Sequence, residues 1–138
     1  MGVGAILRSV SSENVEIVRR VHAAWARGDF SPVDAFDPQV EFETVRGVGH
    51  GVYHGLDEMR RAWREILLSY GHFRTEVEEI IDAGEKVVVL TVPVMRIKGA
   101  AAEVTQRTAV VWTMRNGKAV RLALHSDRDE ALEEAGLR

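Results

Sequence analysis

Two histidines stand four residues apart in a glycine-rich stretch, His50 and His54 of VEFETVRGVGHGVYHG. On a helix this spacing would place both imidazoles on one face, as many zinc sites require. The glycines around them make a helix improbable, and the stretch lacks the acid that accompanies paired histidines in an HExxH-type site. The chain has no cysteine, so a metal would depend on His, Asp and Glu alone. We therefore predict a loop here and no metal site.

A carboxylate and a histidine near the C-terminus form the second candidate group. Asp127 is followed three residues later by Glu130, which is the spacing of a pair that caps the first turn of a helix. On a partly desolvated rim a carboxylate can have a pKa high enough to exchange protons near neutral pH, and a histidine such as His125 is a residue type that carries protons. The capping pattern does not exclude such chemistry, and His125 could equally face the outer side of a sheet.

Composition and charge exclude several classes of protein. The 138 residues suit one domain, and 46% hydrophobic with 28% charged residues is typical of a globular fold. A net charge of −3 gives no electrostatic reason to bind nucleic acid, and no run approaches the roughly 18 apolar residues that span a bilayer. We expect a cytoplasmic protein with no nucleic acid or membrane partner. Residues 1–11 should be a loose lead-in, and residues 12–138 a single α+β domain.

Hydrophobic periodicity predicts the elements that must position these groups. Helices are predicted over Ser12 to Gly28, from about Asp57 to Gly71 and from Asp127 to Gly136, and strands over 40–45, 73–81, 86–98, 103–115 and 118–126. A short helical turn is expected just before the first strand. The segment Asp82-Ala83-Gly84-Glu85 indicates a turn and the pair Asn116-Gly117 a hairpin, and Pro93 indicates an edge position or a bulge.

This order of elements describes an α+β fold, a cone-shaped curved and mostly antiparallel β-sheet wrapped around one long α-helix. The side chains of such a sheet cannot fill its open end, so the helices are expected to close it around an interior pocket. In the first strand the alternation places Val40, Phe42 and Thr44 on the pocket face and Glu41 and Glu43 on the opposite face.

Several aromatic and polar side chains are predicted to line this pocket. The candidates are Trp25, Phe42, Trp63, Gln106, Thr108 and Trp112. Trp25 and Trp63 fall on the apolar stripes of the two long helices, where they form either core or flat walls for a ring-shaped ligand. A buried polar group needs a partner, so Gln106 would meet water or a ligand carbonyl. His22 and His72 show no partner in the sequence pattern and receive no role.

Three stretches, NVEIVRRVHAAWARGDF, GVYHGLDEMRRAWREI and VVWTMRNGKAVRLALHSDRDEALEEAG, resemble the SnoaL-like branch of the nuclear transport factor 2-like superfamily. With their connections they cover residues 12–136. In the SnoaL-like polyketide cyclases a carboxylate after the last strand is the general acid/base of an aldol closure that needs no metal or organic cofactor, and Asp127 matches that position. The resemblance also implies that Tyr53 and His54 lie near the cavity mouth and contact the ligand.

Two other chemistries of this superfamily do not match the residues present. A ketosteroid isomerase needs a tyrosine on the first helix and an aspartate on a late strand, where this chain has Val21 and Val110. A limonene-type epoxide hydrolase needs an Asp-Arg-Asp cluster. The corresponding strand carries Gln106 and Thr108 on one face and Arg107 on the other, without an inward acid pair.

The resulting hypothesis is a pocket protein for a small hydrophobic, cyclic or polyketide-like ligand. This hypothesis includes cofactor-independent acid/base catalysis of an aldol-type cyclisation, an isomerisation or a hydration. The alternative is a non-catalytic ligand-binding or dimerisation module. Because relatives pair through their sheets, the resemblance implies a homodimer through the outer sheet face. The expected interface residues are Val111, Thr113, Arg121 and Ala123.

Overall fold

The computed structural model describes residues 3–45 and 51–138. Its helices are α1 (Val3–Ala26), α2 (Leu56–Leu68) and α3 (Arg128–Glu134). Its strands are β1 (Phe36–Val45), β2 (Gly51–His54), β3 (Tyr70–Ala83), β4 (Lys86–Ile97), β5 (Val104–Thr105), β6 (Thr108–Arg115) and β7 (Lys118–His125). They form one sheet in the order β2-β1-β7-β6-β4-β3, with β5 paired to β4. The pair β1–β7 is parallel and the other pairs are antiparallel. The predicted α+β fold is confirmed.

The alternation predicted for β1 is confirmed by its burial. Val40, Phe42 and Thr44 are at most 4% exposed and belong to the interior. Glu41 and Glu43 are half-buried on the opposite face, because successive side chains of a strand point to opposite sides of the sheet. One strand therefore supplies both an apolar wall and an acidic outer surface.

Helix α1 begins at Val3, so the predicted start at Ser12 was wrong. Ser12 lies inside the helix because Ala5, Leu7 and Arg8 have good helix propensity, and a capping residue alone does not stop a helix whose preceding residues continue it. The predicted end is close to the observed one. Gly28 has φ +80°, and its N–H donates to the Trp25 carbonyl at 2.9 Å, as expected of a glycine that terminates a helix.

The segment between α1 and β1 contains a hydrogen-bonded turn instead of the predicted short helix. The Phe36 N–H donates to the Val33 carbonyl at 3.2 Å, and β1 follows directly. The asparagine-glycine hairpin is confirmed, because Asn116 and Gly117 have φ +52° and +76° and connect β6 to β7. These two positive φ values are those that a two-residue hairpin of the I′ type requires.

The strand predicted over residues 103–115 is divided into β5 and β6. Strand β6 pairs with β4 as far as Thr91, and β5 pairs with β4 from Val94 onward. Pro93 lies between these two ladders, and its carbonyl accepts from the Gln106 N–H at 3.4 Å. In a strand, the N–H and C=O groups of one residue point toward the same neighbouring strand. Proline has no N–H, so position 93 offers no hydrogen-bond donor on the side of β5 and β6. Pro93 thus interrupts the ladder, in line with the irregularity that we predicted there.

Helices pack on both faces of the sheet within a single chain. The inner face packs on α1 and α2 through a cluster that includes Val21, Phe42, Met59 and Trp112. The outer face packs on α3 through the residues Val88, Ala109, Val111, Ala123 and Ala131. Val111 and Ala123 are 0% exposed, so our prediction that they form a dimer interface was wrong. In the described part of the chain, no helix is long and apolar enough to cross a membrane.

Candidate functional site

A cavity of about 400 Å³ lies between the inner face of the sheet and the helices α1 and α2. Its lining is mostly apolar and includes Trp25, Phe30, Phe42, Trp63, Val110 and Leu122. Exposed residues among the lining, Glu65, Ser69 and Gln106, mark where the cavity meets solvent. A volume of this order is typical of pockets for small organic molecules.

Aromatic rings form a continuous part of the cavity wall. The ring centroids of Trp25 and Trp63 are 5.1 Å apart in an edge-to-face arrangement. The rings of Phe42 and Tyr53 stack at 5.9 Å, and Phe42 also meets Trp63 edge to face at 6.1 Å. Four predicted pocket residues therefore lie together on one wall, while their role in binding a ligand stays a prediction.

The glycine-rich stretch is partly a strand, not the loop that we predicted. Strand β2 pairs antiparallel with β1, with Phe42 opposite Tyr53. Because side chains alternate along a strand, Tyr53 is half-buried and lines the cavity, whereas His54 is exposed and is not among the lining residues. His50 lies outside the described residues. Within the described ranges, no group of three or more His, Asp or Glu residues is close enough to hold a metal ion.

The predicted polar residues of the late strands differ in their surroundings. Thr108 lines the cavity, and its hydroxyl is 2.7 Å from the hydroxyl of Thr91, so these two buried groups satisfy each other. Gln106 lies at the solvent-exposed mouth, between β5 and β6. Trp112 was expected on the wall, but it is 0% exposed and lies behind the lining residues.

The sequence pattern gave His22 no role, but the structure makes it part of the site. His22 is 1% exposed and lines the cavity. Its Nε2 accepts a hydrogen bond from the indole N–H of Trp112 at 3.0 Å. Burial lowers the pKa of His22 from 6.5 to about 3, so the ring is neutral at physiological pH. Its position three residues before Trp25, on the same helical face, was the sequence signal for a shared site.

Three buried nitrogen atoms of residues that line the cavity have no hydrogen-bond partner in the described structure, and they are His22 Nδ1, Trp25 Nε1 and His125 Nδ1. His125 is held by Glu134 of α3, whereas His22 and Trp25 lie together on α1. The two rings meet edge to face with centroids 4.8 Å apart. Buried N–H groups without a partner are uncommon in folded proteins, so these two donors are an unusual feature of an otherwise apolar wall.

The predicted catalytic residue Asp127 is the N-cap of α3. Its carboxylate accepts from the backbone N–H of Asp129 at 2.8 Å and of Glu130 at 3.4 Å. Asp127 is exposed and is not among the residues that line the cavity. It borders a separate depression that includes Arg107 and Arg128. The capping role is confirmed, and the catalytic role stays a prediction.

His125, the second predicted proton carrier, is turned toward α3. Its Nε2 lies 3.2 Å from Glu134 Oε1, although the residue is also among those at the cavity surface. Arg121 contacts Glu134 at 3.0 Å and Glu41 at 2.6 Å on the same outer face. Burial would raise the pKa of Glu134, but hydrogen bonds from His125 and Arg121 outweigh it and lower the pKa to about 2. His125 is therefore held in an outer ion-pair cluster.

The cavity wall contains little charge. Among the lining residues that the structure describes, Glu65 is the one carboxylate, and it is exposed. The same set contains no lysine or arginine. The interior therefore presents aromatic surface, hydroxyl groups and two N–H donors, and suits an uncharged ligand better than an ion.

Comparison with known families gives one match that covers most of the chain. Residues 18–122 match the model of the SnoaL-like domain. This range extends from the middle of α1 into β7 and contains most of the cavity wall. A search of curated proteins found no sequence with significant similarity.

Many solved structures share this fold, and three illustrate the likeness. An NTF2-like protein of unknown function from Burkholderia pseudomallei is 28% identical, with a TM-score of 0.76 over 88% of this chain and 95% of that one. TerC, co-crystallised with polyporic acid, is 23% identical, with a TM-score of 0.74 over 90% and 98%. A candidate SnoaL-like polyketide cyclase from Jannaschia is 14% identical, with a TM-score of 0.72 over 92% and 94%.

Proposed function

We propose that this chain, which belongs to the SnoaL-like domain family, binds a hydrophobic cyclic small molecule. The binding site is the cavity between α1, α2 and the sheet. The observation that carries this proposal is the lining: aromatic rings of Trp25, Phe42 and Trp63 around about 400 Å³, without a buried carboxylate among the described lining residues. Flat apolar walls with few polar groups favour ring-shaped organic ligands.

A structural neighbour supports the class of ligand. TerC has been co-crystallised with polyporic acid, so a protein of this fold takes up a small organic molecule. We carry over only that class to this chain. The cavity volume is in the range of roughly 300–1,000 Å³ that accommodates such molecules.

Acid/base catalysis through Asp127 and His125 is the second hypothesis, and the geometry supports it less. A general acid or base must come within hydrogen-bond reach of the reacting group. Asp127 caps α3 outside the cavity lining, and the His125 imidazole contacts Glu134. A ligand bound in the cavity would need a further opening toward α3 to meet Asp127. Binding is therefore the function that we propose first.

We also propose a homodimer through the partly exposed area of the outer sheet face that adjoins the C-terminal end of α3. Thr113 and Arg121 are paired across β6 and β7 and are half-buried there. The neighbouring Glu41 and Glu43 flank Arg121, so this patch presents both signs of charge. Such a patch can pair with its own copy about a two-fold axis.

Titration with fluorene, a flat hydrocarbon, tests the proposed binding. We expect fluorene to shift the NMR signals of cavity residues, and Leu124→Phe to weaken its binding about tenfold, because the larger side chain fills part of the cavity. Leu124 is half-buried on the wall. Leu132→Phe is the matched control, since Leu132 is half-buried against the outer core and does not line this cavity. Absence of binding to the parent protein, or equal loss in both variants, would contradict the proposal. Mass spectrometry of ligand retained through purification then identifies the natural molecule.

A further inference from the structure

The hydrogen bond between Trp112 and His22 determines which nitrogen of His22 carries the proton. An indole N–H has no lone pair and can only donate. Because it lies 3.0 Å from His22 Nε2, that nitrogen must present its lone pair. A neutral imidazole with an unprotonated Nε2 carries its proton on Nδ1. Burial lowers the pKa of His22 to about 3 and so keeps the ring neutral. At neutral pH, His22 therefore presents an Nδ1–H donor.

This donor is one of a pair. His22 Nδ1 and Trp25 Nε1 are both buried and without a partner in the described structure. The residues are three apart on α1, their rings are in contact, and both line the cavity. An unsatisfied buried donor lowers stability because it has lost its hydrogen bond to water. Two such donors, on rings that contact each other in the cavity wall, indicate that an acceptor completes the site when the cavity is occupied.

No acceptor of the described residues lies within hydrogen-bond distance of either donor. The hydroxyls of Thr91 and Thr108 are bonded to each other, and Glu65 is exposed. An anionic ligand would lie against a wall that has no lysine or arginine among its described residues. The free energy needed to remove its charge from water would therefore not be compensated. An uncharged oxygen with two lone pairs, such as a carbonyl oxygen, meets both donors without this cost.

We propose that the His22 Nδ1–H and the Trp25 Nε1–H donate to a single carbonyl-type oxygen of an uncharged cyclic ligand, and that Trp112 is the positioning residue that holds His22 in the donating tautomer. This inference rests on the proposed ligand-binding function and deepens it. The ligand class becomes an aromatic or alicyclic ketone or quinone, with its oxygen directed to α1 and its ring against Phe42 and Trp63.

A matched pair of probes separates the hydrogen bonds from hydrophobic binding. Fluorene and 9-fluorenone share one shape and differ by a methylene group and a carbonyl group. The measured quantity is the ratio of their dissociation constants, so a general change in hydrophobic affinity cancels. We expect His22→Phe and Trp25→Phe each to reduce the preference for 9-fluorenone about fivefold. The same replacement at an exposed histidine off the cavity wall, His54→Phe, should leave the ratio unchanged.

The tautomer provides a readout that a purely structural role would not change. In the parent protein labelled with ¹⁵N-histidine, long-range ¹H–¹⁵N spectra should show His22 protonated at Nδ1, assigned by its loss in His22→Phe. Addition of 9-fluorenone should shift this Nδ1–H, and fluorene should shift it less. Trp112→Phe should allow protonation at Nε2, because its indole N–H no longer occupies that nitrogen.

The outcomes distinguish this inference from the proposed function. If fluorene binds but the ratio is unchanged in both His22→Phe and Trp25→Phe, the donor pair is wrong and hydrophobic binding stands. A parent protein with Nε2 of His22 protonated overturns the role of Trp112, and this measurement does not depend on the folding of any variant. If neither probe binds to the parent protein, the proposed function and this inference both fail.

Discussion

The stability of the protein should decrease on mild acidification because of His22. In the unfolded chain a histidine binds a proton below its ordinary pKa of 6.5, whereas burial lowers the pKa of His22 in the folded chain to about 3. Between these two values the unfolded state binds more protons, so the free energy of unfolding falls as the pH falls. His22 is 1% exposed, so solvent screening takes little from this effect.

The size of the effect follows from the two pKa values. From about pH 7.5 to about pH 5, protonation of His22 in the unfolded state alone should lower the free energy of unfolding by about 2 kcal/mol. The comparison stops at about pH 5 because Glu134 also destabilises the protein at lower pH. Its pKa is 4.5 in the unfolded chain and about 2 in the folded chain, so its contribution to the free energy of unfolding is lost only below about pH 4.5. Urea unfolding at the two pH values measures the difference.

Variants assign the difference to a single residue. His22→Phe should be less stable at both pH values, because Trp112 loses its acceptor, but its pH-dependent loss should be smaller than the parent's by about 2 kcal/mol. His54→Phe, which changes an exposed histidine, should keep the parent's pH dependence. An undiminished pH dependence in His22→Phe would refute the reasoning that His22 is buried in its neutral form.

Two further predictions concern the cap of α3 and the oligomeric state. Asp127→Ala should lower the free energy of unfolding by about 1 kcal/mol through loss of the helix cap, and Asp127→Asn by only a few tenths, as measured by chemical denaturation. If an identified substrate is turned over equally well by Asp127→Asn, the residue is not a catalyst. Light scattering should give twice the mass of one 15.4 kDa chain, and Thr113→Glu should shift the protein toward monomer by adding an acid to a patch that already contains Glu41 and Glu43. A monomeric mass at every concentration would contradict the dimer.

Features that depend on neighbouring residues were accessible from the sequence. The alternation in β1 predicts which residues are buried, Asn116-Gly117 predicts the hairpin, and Asp127 predicts the cap of α3. In each case the physical cause lies within a few residues: the two-residue period of a strand, the positive φ of a turn, and a side chain that reaches the next backbone N–H groups.

Other local predictions were wrong where longer-range pairing or propensity competed. The segment 51–54 is a strand because it pairs with β1. Its glycine-rich sequence does not indicate this pairing. Helix α1 continues upstream of Ser12, since capping preference is weaker than the propensity of several consecutive residues. Val111 and Ala123 are covered by α3, so residues on the outer side of a strand need not be exposed.

The sequence by itself determined the fold class, the aromatic character of the cavity and the cap at Asp127, because periodicity and short motifs encode them. Only the tertiary structure decided that Trp112 contacts His22 and that Asp127 lies outside the cavity lining. Trp112 and His22 are 90 positions apart along the chain, and a hydrogen bond over that separation leaves no local pattern. The protonation state of His22 depends on burial and on that one partner, and both exist only in the folded chain.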